Sequence, residues 1–149
     1  MSIRKFGWVL PLFLISFAPL AAFAQTQAEM DREACGKYQK ADAELNRVYQ
    51  QVISDYKTQR LFVEKLRSAQ RAWVTYRDAQ VEALYPAPDP QLAYGDVHRM
   101  CRCQALTELT IERTEVLREW VMGVEEGDVC SGSIRIRGYT GRLKRQLRP

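Results

Sequence analysis

The chain has 149 residues, with 22 Lys and Arg against 18 Asp and Glu for a net charge of +4, a length that suits one domain with a modest core. The charge is unevenly placed: Gln25 to Asp128 holds 14 basic and 18 acidic residues, whereas Val129 to Pro149 holds six basic and none acidic. A mildly acidic body argues against a reader of nucleic acid, and there is no glycine-rich phosphate loop or His-Glu zinc pattern to bring in nucleotide or metalloprotease chemistry.

Arg4 and Lys5 precede an almost unbroken apolar run from Phe6 to Phe23, and Ala22-Phe23-Ala24 places small residues where a signal peptidase reads. Residues 1–24 are read as a cleavable signal peptide; a retained membrane anchor is the rival reading, since the run approaches the ~20 residues that span a bilayer. Pro11, Pro19 and the Ala-x-Ala ending favour cleavage. The expected location is periplasmic or secreted, with no membrane span once the peptide is removed.

The first mature helix is predicted from Met30 to Tyr56. Met30, Ala34, Tyr38, Ala41, Leu45, Val48, Val52 and Tyr56 keep a three-four rhythm. Lys57-Thr58-Gln59 reads as a turn. The second helix runs from Leu61 to about Leu84, with Phe62, Leu66, Ala69, Trp73 and Tyr76 on one face and Gln70 and Arg77 on its border. Trp73 makes this helix the expected centre of the fold. Three prolines in Tyr85-Pro86-Ala87-Pro88-Asp89-Pro90 end it. Asp96 is the expected N-cap of a third helix that reaches Met122 before Gly123, with Cys103, Leu106, Thr110, Arg113, Leu117 and Trp120 facing inward. The result is an all-α, disulfide-stapled antiparallel bundle of three helices over residues 25–123, followed by a basic irregular tail over 124–149. Ile134 and Ile136 alternate with Arg135 and Arg137 in a strand-like way, but one short strand has no evident partner, so a mobile tail is the expectation.

Matching heights along the helices, at ~1.5 Å per residue, puts Cys35 level with Cys103. Asn46, Gln70, Thr110 and Arg113 fall together near mid-height, with Arg77 lower down. Asn46 and Thr110 are the expected acceptors for the buried guanidinium groups. In an oxidising compartment Cys35–Cys103 is the first disulfide candidate. Cys101 points away from Cys103, and is left to reach Cys130, stay free or pair between chains. The two-residue spacing of Cys101 and Cys103 turns them ~200° apart on a helix, which disfavours a shared zinc ion. No catalytic, cofactor-binding or metal-ligating constellation emerges, and the sole His, His98, is read as a surface residue.

Ala41-Asp42-Ala43-Glu44-Leu45-Asn46-Arg47-Val48-Tyr49-Gln50, then Leu66…Ala69-Gln70-Arg71-Ala72-Trp73…Tyr76-Arg77-Asp78-Ala79, then Leu109-Thr110-Ile111-Glu112-Arg113 resemble, in order, three signatures of the LprI-type lysozyme-inhibitor domain family. The likeness covers about Met30 to Leu117. It implies a small exported helical protein, not an enzyme, that binds and occludes lysozyme without a cofactor. Leu45, Asn46, Tyr49, Gln70, Trp73, Arg77, Asp78, Thr110 and Arg113 carry the likeness and are expected to be structural. Members often carry a Cys just after the Arg-Asp-Ala, where this chain has Val81, which leaves Cys101 or Cys103 to compensate. Candidate partner-binding residues are Tyr85, Asp89 and Tyr94 in the proline-rich loop, and Ser131 and Tyr139 in the tail. The alternative function is a non-enzymatic envelope interaction or stress module whose basic tail binds anionic envelope polymers.

Overall fold

The computed structural model describes residues 26–137. The expected signal peptide, the end of the basic tail and Tyr139 lie outside the described residues. Four helices follow one another: α1 (Gln27–Asp55), α2 (Arg60–Leu84), α3 (Pro90–Tyr94) and α4 (His98–Met122). None of the described helices is long and apolar enough to cross a membrane.

Helix α1 begins three residues before the expected Met30 because Thr26 and Glu29 form a capping box. Glu29 N–H donates to the Thr26 hydroxyl at 3.3 Å, and Thr26 N–H donates to the Glu29 carboxylate at 2.9 Å. The Thr26 N–H holds the Glu29 carboxyl below its ordinary range. At the far end α4 stops at Gly123, whose φ of +74° suits glycine and whose N–H donates to Glu119 O at 2.8 Å.

The three long helices run up, down and up, as the short connections dictate. Helices α1 and α4 are parallel and form the tightest pair. Near their starts the Cys35–Cys103 disulfide ties them, with Cα atoms 4.9 Å apart. At their ends the Tyr56 hydroxyl donates to Trp120 O at 3.2 Å. Between lies the core of Leu45, Val48, Val52, Tyr56, Val63, Leu66 and Leu117. Each such side chain contributes about 1.5–3 kcal/mol by leaving water.

Helix α2 lies against this pair rather than at its centre. Its buried residues are Val63, Leu66, Arg77 and Val81, whereas Ala69 is exposed, Tyr76 is 56% exposed and Trp73 is half-buried. The inward face is therefore turned from the expected one: Gln70 and Arg77 stand on it, and Tyr76 faces out. The apolar count misled because two polar residues occupy the seam.

The proline-rich connection is also more ordered than a helix breaker suggests. Pro90 supplies the first position of α3, where its missing N–H costs nothing, and Asp89 caps it by accepting from Leu92 N–H at 3.0 Å. Val97, not Asp96, is the N-cap residue of α4. Asp96 instead accepts from Gln91 Nε2 at 3.3 Å.

Residues 124–137 are irregular, as expected, but they dock. Val124 and Ile136 form a parallel bridge in which Val124 N–H donates to Arg135 O at 2.9 Å and Arg137 N–H to Val124 O at 2.6 Å. Arg135 N–H donates to the Tyr56 hydroxyl at 3.1 Å, and its guanidinium sits 4.4 Å from the Tyr56 ring and 3.2 Å from Asp55. Trp120 Nε1 donates to Ser133 Oγ at 3.1 Å. The segment is a strap across the end of the α1–α4 pair.

Candidate functional site

The residues that carry the family likeness converge on the interior. Leu45 is core, and Tyr49 packs on it half-buried. Arg77, 8% exposed, is sandwiched between Trp73 at 5.3 Å and Tyr38 at 5.8 Å, donates to its neighbour Asp78 at 2.9 Å and lies 3.6 Å from Asp42 of α1. Arg113 Nε of α4 donates to Gln70 Oε1 of α2 at 3.0 Å, and burial pulls its basicity down. The acceptor for Arg113 is thus Gln70, not the expected Asn46 or Thr110. Asn46 is exposed and donates along its own helix to Asp42 at 3.0 Å. Thr110 is fully buried with no hydrogen-bond partner for its hydroxyl among the described residues, and its carbonyl accepts from the Thr114 hydroxyl at 2.8 Å.

A second tie joins α1 to α4 on the surface. Glu44 accepts from Arg118 Nη2 at 2.6 Å and from Arg47 Nε at 2.7 Å. These bonds, that of Arg47 foremost, lower the Glu44 carboxyl to about 2. Such a network fixes the two helices; its charges are mutually satisfied and it has little left to offer a partner.

The candidate partner-binding residues that are described, Tyr85, Asp89, Tyr94 and Ser131, lie at opposite ends of α4. At its start, Tyr85 packs edge-on against Tyr94 and His98, with ring centroids 5.4 and 4.8 Å apart, and Tyr94 stacks on His98 at 6.0 Å. Burial raises the Tyr85 phenol, with the nearby Cys101 and Tyr94 adding to the shift. His98 is thus half-buried among aromatic rings rather than a surface residue. Asp89 is engaged in capping α3. Tyr85, Tyr94 and His98 thus form an aromatic corner between α2 and α4. Cys101 is a free thiol there, and Cys130 is free and exposed at the other end, so of the options left open for Cys101 the bridge to Cys130 is not formed. The length of α4 keeps them apart, at ~1.5 Å per residue.

At the far end of α4 lies an open cleft of about 920 Å³, in whose lining the acids Glu115, Glu119, Glu125, Glu126 and Asp128 outnumber the cations Arg118 and Arg137, with Ser131 among them. Helix α4 leads into it with Glu108, Glu112, Glu115 and Glu119, stepping by four, three and four, all exposed. Ile111, 49% exposed, and Met122, 63% exposed, flank this acidic stripe. The sequence reading scattered these carboxylates over solvent faces. Their helical spacing was the signal that gathers them.

Among the described residues no group of three or more His, Cys, Asp and Glu side chains is placed to hold a metal ion. What the arrangement offers is a negatively charged surface with apolar edges, suited to contact with a basic protein.

Comparison with known proteins follows the same line. A family model described as "Lysozyme inhibitor LprI" matches residues 21–117. A Rhizobium meliloti (strain 1021) protein described as uncharacterized is 34% identical over 112 residues, which cover 66% of this chain and 77% of that protein. No solved structure matches the chain.

Proposed function

The chain belongs to the LprI lysozyme-inhibitor family, and from that premise we propose that it is an exported envelope protein that binds lysozyme and covers its cleft. The observation that carries the reading is the acidic face of α4 and the cleft at its end. Animal-type lysozymes are basic, and a contiguous row of carboxylates would steer and orient such a partner. Within ~8 Å, the screening length at physiological salt, the stripe residues reinforce one another, since helical neighbours three and four apart lie only ~6 Å from each other.

In this reading the signature residues Leu45, Trp73, Arg77, Thr110 and Arg113 hold the helices in register, and the partner meets Glu119, Glu126, Ser131 and the strap, Glu115 being paired with Arg118 of its own helix. Residues 1–24 serve as the export signal, and the protein works in the periplasm or outside the cell. In this reading it acts by binding rather than by catalysis.

The test is a turbidity assay of cell-wall lysis by c-type and g-type lysozymes with a several-fold molar excess of the purified protein. Slowed clearing is expected, and truncation after Arg137 leaves it in place because the acidic face is intact. Unchanged clearing with both enzyme types would overturn the proposal. If inhibition vanishes on truncation, the basic tail is the active part instead.

A further inference from the structure

Helix α2 carries a charged surface of the opposite sign, and nothing in the lysozyme reading uses it. Arg60, Arg67 and Arg71 step by seven and four, so they lie along one face of α2 over ~16 Å of helical rise. With Lys57 from the preceding turn they line a cleft of about 350 Å³ between the end of α1 and the start of α2, together with Ile53, Val63 and Glu64.

Three features distinguish this cleft from an ordinary solvated face. First, four cations gather around one cleft with Glu64 as the one acid in its lining, and none of Lys57, Arg60, Arg67 and Arg71 has a carboxylate within ion-pair distance among the described residues. Second, they are concentrated against the trend of the body, in which acids outnumber bases. Four like charges around one small cleft repel one another, and the field they focus attracts an anion into it. Third, the chemistry is weighted to arginine. Three guanidinium groups present planar pairs of donors that match the oxygens of a phosphate better than an ammonium does. The start of α2 adds to the field, because Gln59 provides no side-chain cap and the first turn holds no acid.

The layout selects among anions. The cations follow a line rather than a point, which suits a chain bearing several charges more than a single small ion. The apolar lining residues Ile53 and Val63 are half-buried and buried, so the cleft offers no wedge for a bilayer. We propose that the α1–α2 cleft binds a linear phosphate-bearing polymer through Lys57, Arg60, Arg67 and Arg71. This site is separate from the acidic face of α4 and stands whether or not lysozyme is the partner there.

The experiment titrates the purified protein into fluorescently labelled short-chain inorganic polyphosphate and follows anisotropy at several salt concentrations. Saturable binding that weakens steeply with salt is expected. In the R67Q/R71Q variant, affinity falls about tenfold or more and the salt slope drops by about half, because two of four phosphate contacts are gone. The R99Q/R102Q variant, with the same charge change at the start of α4, and the protein truncated after Arg137 both retain the affinity. All four substituted arginines are exposed, and unchanged melting curves confirm the fold. The proposal is overturned by absent binding at low salt, by equal loss in the two double variants, or by loss on truncation with R67Q/R71Q unaffected. Binding to phosphatidylglycerol vesicles without binding to polyphosphate also overturns it, since the surface would then be a lipid contact.

Discussion

Replacing both bridged cysteines, C35A/C103A, tests how much of the fold depends on one crosslink. The disulfide joins residues 68 apart in sequence, enclosing most of α1, all of α2 and α3 and the start of α4. Opening a loop of that size releases about 4.4 kcal/mol of chain entropy to the unfolded state. Unfolding entropies near 2.1 cal/mol/K per residue convert this into a fall in Tm of roughly 15–20 °C for a domain of this size. The bridge sits where α1 and α4 carry few large core residues, since the main cluster lies towards their other ends; little else there compensates for its loss. Thermal unfolding followed by circular dichroism, with and without reductant, measures the effect. The C101A/C130A variant should melt within about 0.5 kcal/mol of the parent, because both thiols are free and neither is core. A shift smaller than about 1 kcal/mol for C35A/C103A, or an equal one for C101A/C130A, would refute the assignment of the staple. Peptide mapping under non-reducing conditions should recover Cys35 joined to Cys103.

Three further outcomes follow from the strap and the surface network. Tyr56→Phe removes the hydroxyl that accepts from Arg135 N–H and donates to Trp120 O, costing about 1–3 kcal/mol in urea unfolding and speeding proteolytic cleavage within 124–137. Gly123→Ala places a Cβ 2.6 Å from Arg135 O at a φ of +74°, so the strap must shift; about 1–3 kcal/mol of strain and the same protease sensitivity are expected. Glu44 has a folded-state pKa lowered to about 2 from an ordinary 4.5. Its contribution is therefore complete above the ordinary value and is lost as pH falls through that window, because the unfolded chain takes up the proton first. Glu44→Gln should flatten the acid limb of the stability profile and leave unfolding slopes near neutral pH unchanged; a profile identical to the parent's would contradict the network.

The three long helices, their directions and the Cys35–Cys103 pair were legible because they rest on simple rules, apolar spacing, short connections and residue rise, whereas the short α3 hid behind the prolines. Thr26 and Glu29 spelled a capping box that a search starting from the first apolar residue passes over. The face of α2 was misread for a deeper reason. Gln70 and Arg77 are inward because Arg113 of α4 and Tyr38 and Asp42 of α1 receive them, and those partners come from other helices. The docking of the strap likewise depends on Val124, which bridges Ile136, and on Tyr56, which meets Arg135 from 79 residues away, and no local pattern encodes it. The two charged surfaces were present as helical spacings, Glu108 to Glu119 on α4 and Arg60 to Arg71 on α2. What the sequence could not supply was which of the scattered charges are already paired. Only the fold shows Arg118 and Arg47 spent on Glu44 while Arg67 and Arg71 stand free.

The claim that a basic partner is met by the acidic face of α4 is tested most directly by calorimetric titration of lysozyme into the protein and into its E119K/E126K variant. Both carboxylates line the cleft, and neither takes part in an ion pair among the described residues. The account predicts saturable binding that weakens with salt and falls about tenfold or more in the variant, a loss in the range of truncated charge contacts at interfaces. Equal affinity of the two proteins for lysozyme, or no heat of binding with either, would contradict it.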